Sequence, residues 1–223
     1  MLRRNPLVLV ACLAVLAGCS EPVSHAYTTQ APATTAPAAS TVVEQAAGAQ
    51  PGPSEEPIVI TGRGFDLHTA GRVGQATFDA AWAGVLDTLN RYLEAAVLTP
   101  LRTGGPAGDL TPLFTPLSVA QVMTVGPDRF AFIDENLAPV TDLRKLEAVA
   151  TLTALGGPDG TISVVTANLQ LRLTGRVDGA PLALDRTGEL VLMPEGGTWR
   201  IDAWDVKVTR RLASTTTTTA ARS

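Results

Sequence analysis

Apolar side chains recur three and four residues apart at Phe78, Ala81, Trp82, Val85, Leu89, Tyr92, Leu93 and Ala96, the spacing of one helix face. The predicted helix runs from about Thr77 to Leu98. Thr77 is its expected cap, Asp79 sits near the positive end of its dipole, and Asp87 stands four residues before Arg91 on the wet side. Pro100 is expected to stop it, because proline has no N–H and crowds the carbonyl four residues back. Thr111-Pro112-Leu113 and Thr115-Pro116-Leu117 each place threonine before proline, a helix-start signal. They predict a short turn at Pro112 to Phe114 and a helix from Pro116 to about Met123, closed by Gly126-Pro127.

The period then changes to two. Leu146, Ala148, Ala150 and Leu152 alternate with Glu147, Val149 and Thr151, which predicts a strand from Lys145 to Leu155. A second strand spans Thr161 to about Arg176, with Leu169, Leu171 and Leu173 on one face. A third runs from about Leu182 to Met193 and a fourth from Thr198 to Arg210. The turns Gly157-Pro158-Asp159-Gly160, Asp178-Gly179 and Pro194-Glu195-Gly196-Gly197 make the set an antiparallel meander. In the last strand Trp199 and Ile201 keep one phase while Trp204, Val206 and Val208 keep the other, so a bulge is expected near Ala203. Such a bulge bends a sheet, and a helix laid across the concave side encloses a cone. Upstream, Ile58 to Thr61 reads as a short strand and Gly62 to Gly74 as a flexible entry loop. No Gly-Lys-Ser/Thr follows Gly62-Arg63-Gly64, as a phosphate loop would need.

Outside this body the composition shifts. Ser20 to about Pro57 is rich in Ala, Thr, Pro, Ser and Gln and carries nothing that builds a core. A linker of that length spans about 35 Å as a coil and about 120 Å when extended. Ser214 to Thr219 is a second low-complexity stretch. The chain is thus read as residues 1–18, a signal peptide; 19–57, a tether; 58–74, an entry segment; 75–212, one folded domain; and 213–223, a tail. Formal net charge is −4, which supplies no basic field for nucleic acid. Both cysteines, Cys12 and Cys19, precede the body, so no disulfide staples it. Asp128, Asp134, Glu135 and Asp142 form an acidic stretch without the spacing of a calcium loop, and are read as a solvated surface. No metal or cofactor is expected.

Arg3 and Arg4 precede an apolar run from Leu7 to Ala17 that is too short to span a bilayer. Leu16-Ala17-Gly18-Cys19 follows and resembles the bacterial lipobox. That resemblance implies cleavage before Cys19, a lipid on its sulfur, and a secreted protein held on the outer face of the cell membrane. Losing Arg3 and Arg4 would reduce the 17 basic side chains to 15 against 21 acidic ones.

The order of helix, short helices and long antiparallel strands, closing on Trp199-Arg200-Ile201-Asp202-Ala203-Trp204-Asp205-Val206, resembles the NTF2-like fold of many actinobacterial envelope proteins. The resemblance implies an α+β cone with a curved, four-stranded antiparallel sheet, lined by Trp82, Tyr92, Leu171 and Trp204. Proton-transfer enzymes of this fold pair a carboxylate with a hydroxyl inside the cone. Here Tyr92 is the only phenol of the body, with Glu147, Asp202 and Asp205 as strand acids expected to face solvent. His25 and Tyr27 fall in the tether and His68 in the entry loop. No catalytic set emerges. The expected function is a non-catalytic binding or accessory module of the envelope, with another envelope protein or an apolar ligand as partner. The alternatives are a lipid or small apolar ligand carrier, and an isomerase- or cyclase-type enzyme. A homodimer through the outer sheet face is a further expectation from the fold.

Overall fold

The computed structural model describes residues 57–124 and 126–213, together with the two-residue strand His25–Ala26. Strictly alternating burial builds the sheet. Leu169, Leu171 and Leu173 are buried while Asn168, Gln170 and Arg172 between them are exposed. The long strands are β1 (Thr61–Thr69), β2 (Val140–Gly156), β3 (Ile162–Val177), β4 (Ala180–Glu195) and β5 (Thr198–Leu212), adjacent in that order. Strands β2 to β5 form the expected antiparallel meander. Asp178 and Gly179 both take positive φ, 49° and 80°, as a two-residue hairpin turn of the right twist requires.

The sheet has five long strands instead of the four expected. Gly62 to Thr69 is not an entry loop, because β1 pairs parallel with β2, Thr61 opposite Val149 through Thr69 opposite Gly156. A register shift between Gly62 and Gly64 absorbs the glycines. Phe65 and Leu67 point into the core, and Phe65 meets Phe78 edge-on at 4.4 Å. The glycines had hidden a strand of ordinary alternation. His25–Ala26 pairs antiparallel with Leu67 and Asp66 at the outer edge.

A bulge also corrects β2. The register shifts between Lys145 and Glu147, and this turns Leu146 out to solvent at 67% exposure, away from the face shared by Ala148, Ala150 and Leu152. In β5 the register shifts opposite Val191 and Leu192, leaving Asp202 as the extra residue beside Ala203. The two indole phases are reconciled there.

The helix α1 (Gln75–Tyr92) lays Phe78, Ala81, Val85, Leu89 and Tyr92 on the concave face of the sheet. Its cap is Gly74 instead of Thr77, and Asp79 lies beyond the first turn, where its carboxylate accepts from the Gln75 amide at 2.8 Å. Pro100 does not end the helical run. A wider π-helical segment, Leu93–Leu98, leads into α2 (Thr99–Thr103), which stops at Gly104 with φ 68°. Proline has no N–H to return to the preceding turn. Carbonyls of that turn accept from outside: Ala95 from Gly108 N–H and Ala96 from Asp134 N–H, both at 2.9 Å. A single turn at Thr111–Leu113 and the helix α3 (Pro116–Met123) fall where expected, and a further short helix, α4 (Pro127–Phe132), follows.

Gly188 shows how closely β4 and β5 approach. Its φ is 150°, a conformation side-chain-bearing residues rarely adopt, and a Cβ there would lie 2.0 Å from the Asp205 carbonyl oxygen. The Gly188→Ala protein is expected to lose about 3 kcal/mol or more in denaturant unfolding, through backbone strain and overpacking. A loss under about 1 kcal/mol would show that the strands part at no cost.

Candidate functional site

The space between the curved sheet and the helices is polar at its centre. Arg186 stands on β4 opposite Leu171 of β3 and Val208 of β5, and is fully buried. Its guanidinium Nη1 donates to the Tyr92 hydroxyl and to the Phe132 carbonyl, and its Nη2 donates to Asp134 Oδ2 at 2.6 Å. The Tyr92 hydroxyl donates to the same Phe132 carbonyl at 3.0 Å. Asp134 Oδ1 accepts from Arg210 Nε at 2.7 Å, and the Arg210 side chain reaches solvent at 26% exposure. One carboxylate thus serves two guanidiniums, one wholly inside and one at the rim. Arg186 Nε is the donor left without a partner.

Several elements hold this carboxylate in place. The Ala96 carbonyl freed near Pro100 takes the Asp134 N–H. Arg129 grips Glu135 with both Nε and Nη2, at 2.6 and 2.8 Å, and Arg210 donates to the Phe130 and Ile133 carbonyls at 3.0 and 3.3 Å. The guanidinium of Arg129 holds the Glu135 carboxyl below its usual range. Burial pushes the Tyr92 phenol up, against the pull of the Arg186 charge. Arg186 is raised despite its burial, by Tyr92 and Asp134 beside it.

The expected cone-lining residues divide. Tyr92 and Leu171 are fully buried beside Arg186. Trp204 is half-buried and reaches Tyr92 through Phe132, with ring centroids 5.1 Å from Trp204 to Phe132 and 4.3 Å from Phe132 to Tyr92. Trp82 is half-buried against the same core, beside Phe65 at 5.7 Å. Cys19 and Tyr27 lie outside the described residues, and His68 is exposed on β1. The acidic stretch is not one solvated surface. Asp134 pairs with Arg186, Glu135 with Arg129 and Asp142 with Arg176, while the Asp128 side chain lies outside the described residues. Among the described residues no three His, Cys, Asp or Glu side chains gather as a metal site, and no helix is long and apolar enough to cross a membrane.

Of the strand acids, Glu147 is mostly covered, at 18% side-chain exposure, between Arg63 and Arg172. Asp205 is exposed. Asp202, at the bulge, accepts from the Thr115 hydroxyl at 2.8 Å, and its backbone carbonyl accepts from Ser118. Thr115 therefore staples α3 to the bulge and makes no side-chain cap for the helix it precedes. Arg186 was missed in the sequence because it occupies an apolar phase of its strand, between Leu184 and Leu190. That position is itself a signal, since a lone arginine on a core face needs a buried acid.

A surface concavity lies beside this core. A groove of about 820 Å³ runs between α1 and the β4–β5 turn, floored by Ala76, Ala80 and Gly84 and walled by Trp199, with Asp87 and Arg91 at its side. The Trp199 ring lies so close that a Cβ on Gly84 would meet it at 2.6 Å. Thr88 ties the two walls together, its hydroxyl bonding the Trp199 carbonyl at 2.8 Å.

Compared with protein-family models, curated proteins and solved structures, this chain has no match.

Stranding one buried charge costs about 3–5 kcal/mol, whereas replacing both partners by apolar groups is far milder. Arg186→Met and Asp134→Leu are each expected to destabilise by that amount, and the double variant by clearly less than their sum. Additive losses in unfolding would mean that the pair is not coupled.

The raised phenol gives a second test. Above the ordinary tyrosine pKa near 10, the unfolded chain releases this proton and the folded one keeps it, so stability falls as pH rises through that region. Tyr92→Phe is expected to flatten the alkaline limb of a stability–pH profile. An unchanged limb would show the phenol to be accessible to base.

Proposed function

We propose that the chain is a membrane-anchored, extracytoplasmic lipoprotein whose body is a non-catalytic binding module of NTF2-like architecture. The anchor rests on Leu16-Ala17-Gly18-Cys19 after a short apolar run. The NTF2-like reading is supported by a helix on the concave face, short helices after it, and a meander bent at Asp202.

The observation that carries binding over catalysis is the occupation of the interior by Arg186. Where an enzyme or carrier of this shape would receive a ligand, the Tyr92 hydroxyl and the Asp134 carboxylate are both engaged with a fully buried guanidinium. Both oxygens of that carboxylate are taken up by arginines, Oδ2 by Arg186 and Oδ1 by Arg210, so neither is left to face a ligand. Recognition is thereby assigned to the outside, where the groove beside Trp199 offers an aromatic wall, a floor of small side chains and the polar pair Asp87 and Arg91. The partner is another envelope protein that lays an extended segment there.

Two measurements on protein taken gently from its host's envelope test this. Intact mass is expected to show a diacylglyceryl thioether at Cys19, and an unmodified cysteine would remove the anchor. Cross-linking is expected to capture an envelope protein through the groove. Ala80→Trp should abolish that capture while changing stability by under about 0.5 kcal/mol, as an exposed substitution does. Stoichiometric recovery of a small apolar molecule, retained by Ala80→Trp, would overturn the reading in favour of a carrier.

A further inference from the structure

The convex face of the sheet carries a row of alternating charge across all five long strands. Arg63 of β1 pairs with Glu147 of β2 at 3.0 Å, and Arg172 of β3 lies 3.7 Å from both Glu147 and Asp185 of β4. Arg211 of β5 closes the row on Asp185. The three arginines stand on alternate strands, about 10 Å apart at the usual strand spacing. Beside them Arg176 pairs with Asp142 at 3.7 Å, and Arg144, opposite Thr174, has no ion pair among the described residues. Arg63, Arg172, Arg176 and Arg211 are 54% to 68% exposed.

The charge is segregated. Of the 14 basic and 17 acidic side chains in residues 57–213, this end of the sheet holds six basic ones, the five arginines and Lys145. It holds four acids, Asp142, Glu147, Asp178 and Asp185. A local excess of two positive charges thus sits on a body otherwise five negative. Residues 57–213 begin and end on the same side of the sheet. The segment from Pro57 enters β1 opposite Val149, next to Glu147, and Leu212 pairs with Leu182 beside the β3–β4 turn.

We propose that this arginine-bearing end is a docking surface for anionic phospholipid headgroups, orienting the body so that the acidic remainder and the groove face away from the bilayer. The proposal rests on the membrane-anchored reading for its biological setting, and its physics is independent of the lipid on Cys19. Guanidinium pairs with phosphate bidentately, and in the row each arginine must exchange a carboxylate partner for the headgroup. The acids in the row therefore reduce the attraction and make it sensitive to salt.

The test uses the chain from residue 19 onward with Cys19→Ser, so that no acyl chain contributes, and vesicles of phosphatidylcholine with or without phosphatidylglycerol. Flotation is expected only with the anionic vesicles, and raising sodium chloride should release the protein. Arg144→Gln combined with Arg176→Gln should weaken partitioning about fivefold or more, while Arg72→Gln combined with Arg102→Gln, an equal loss of exposed charge elsewhere, should change it little. Equal partitioning to neutral vesicles, equal effects of the two double variants, or no binding to either vesicle would overturn the proposal. Because this protein lacks the acylated cysteine, such a failure leaves the anchor standing or falling separately, on the mass measurement at Cys19.

Discussion

The carboxylate of Asp134 is the interaction on which the rest of the interior depends. It holds Arg186 inside the core and Arg210 at the core's edge, and it is itself fully buried. Neither Arg186 nor Asp134 can be removed alone without leaving a charge in a medium that cannot solvate it. The elements around it serve that placement. A proline that cannot return a hydrogen bond frees helix carbonyls, and the Ala96 carbonyl positions the backbone of Asp134. Arg129 and Glu135 lock the next residue, and Phe132 supplies a carbonyl to both Tyr92 and Arg186 while its ring joins Trp204 to the core.

The paired arginine fills the space between α1 and the sheet, and the polar groups there are bonded to one another. In the proposed binding role, recognition therefore lies outside. One surface is the groove that Trp199 and the small side chains of α1 form, kept open because Thr88 ties helix to strand at a fixed distance. The other is the charged row on the convex face, which crosses the sheet because adjacent strands present opposite charges at matched register. The two differ in character, one uncharged along most of its length and one ionic.

Much of the architecture was legible in residue spacing. The stripe from Phe78 to Tyr92, the alternation through Leu169, Leu171 and Leu173, and the phase break between Ile201 and Trp204 are local signals, and each became the element it implied. The misses share a cause. Gly62 and Gly64 read as loop because glycine is a poor strand former, yet pairing with β2 supplied the hydrogen bonds that propensity lacked. Leu146 reads as a core-face residue because alternation carries no mark of a bulge. Pro100 reads as a stop because its effect on the helix depends on whether other groups take the freed carbonyls, and here Gly108 and Asp134 do.

By itself the sequence determined the α+β class, the meander and its turns, and the tether composition, because periodicity, turn chemistry and low hydrophobicity act over a few residues. It also placed Tyr92 on an inward stripe. Only the tertiary structure decided what Tyr92 meets. Arg186, Asp134 and Arg210 are far apart along the chain, and although an arginine on a core phase signals that a buried acid is needed, no spacing names which acid it meets. Whether a buried position is apolar, paired or open to a ligand is set by what folds opposite it, and that is a property of three dimensions.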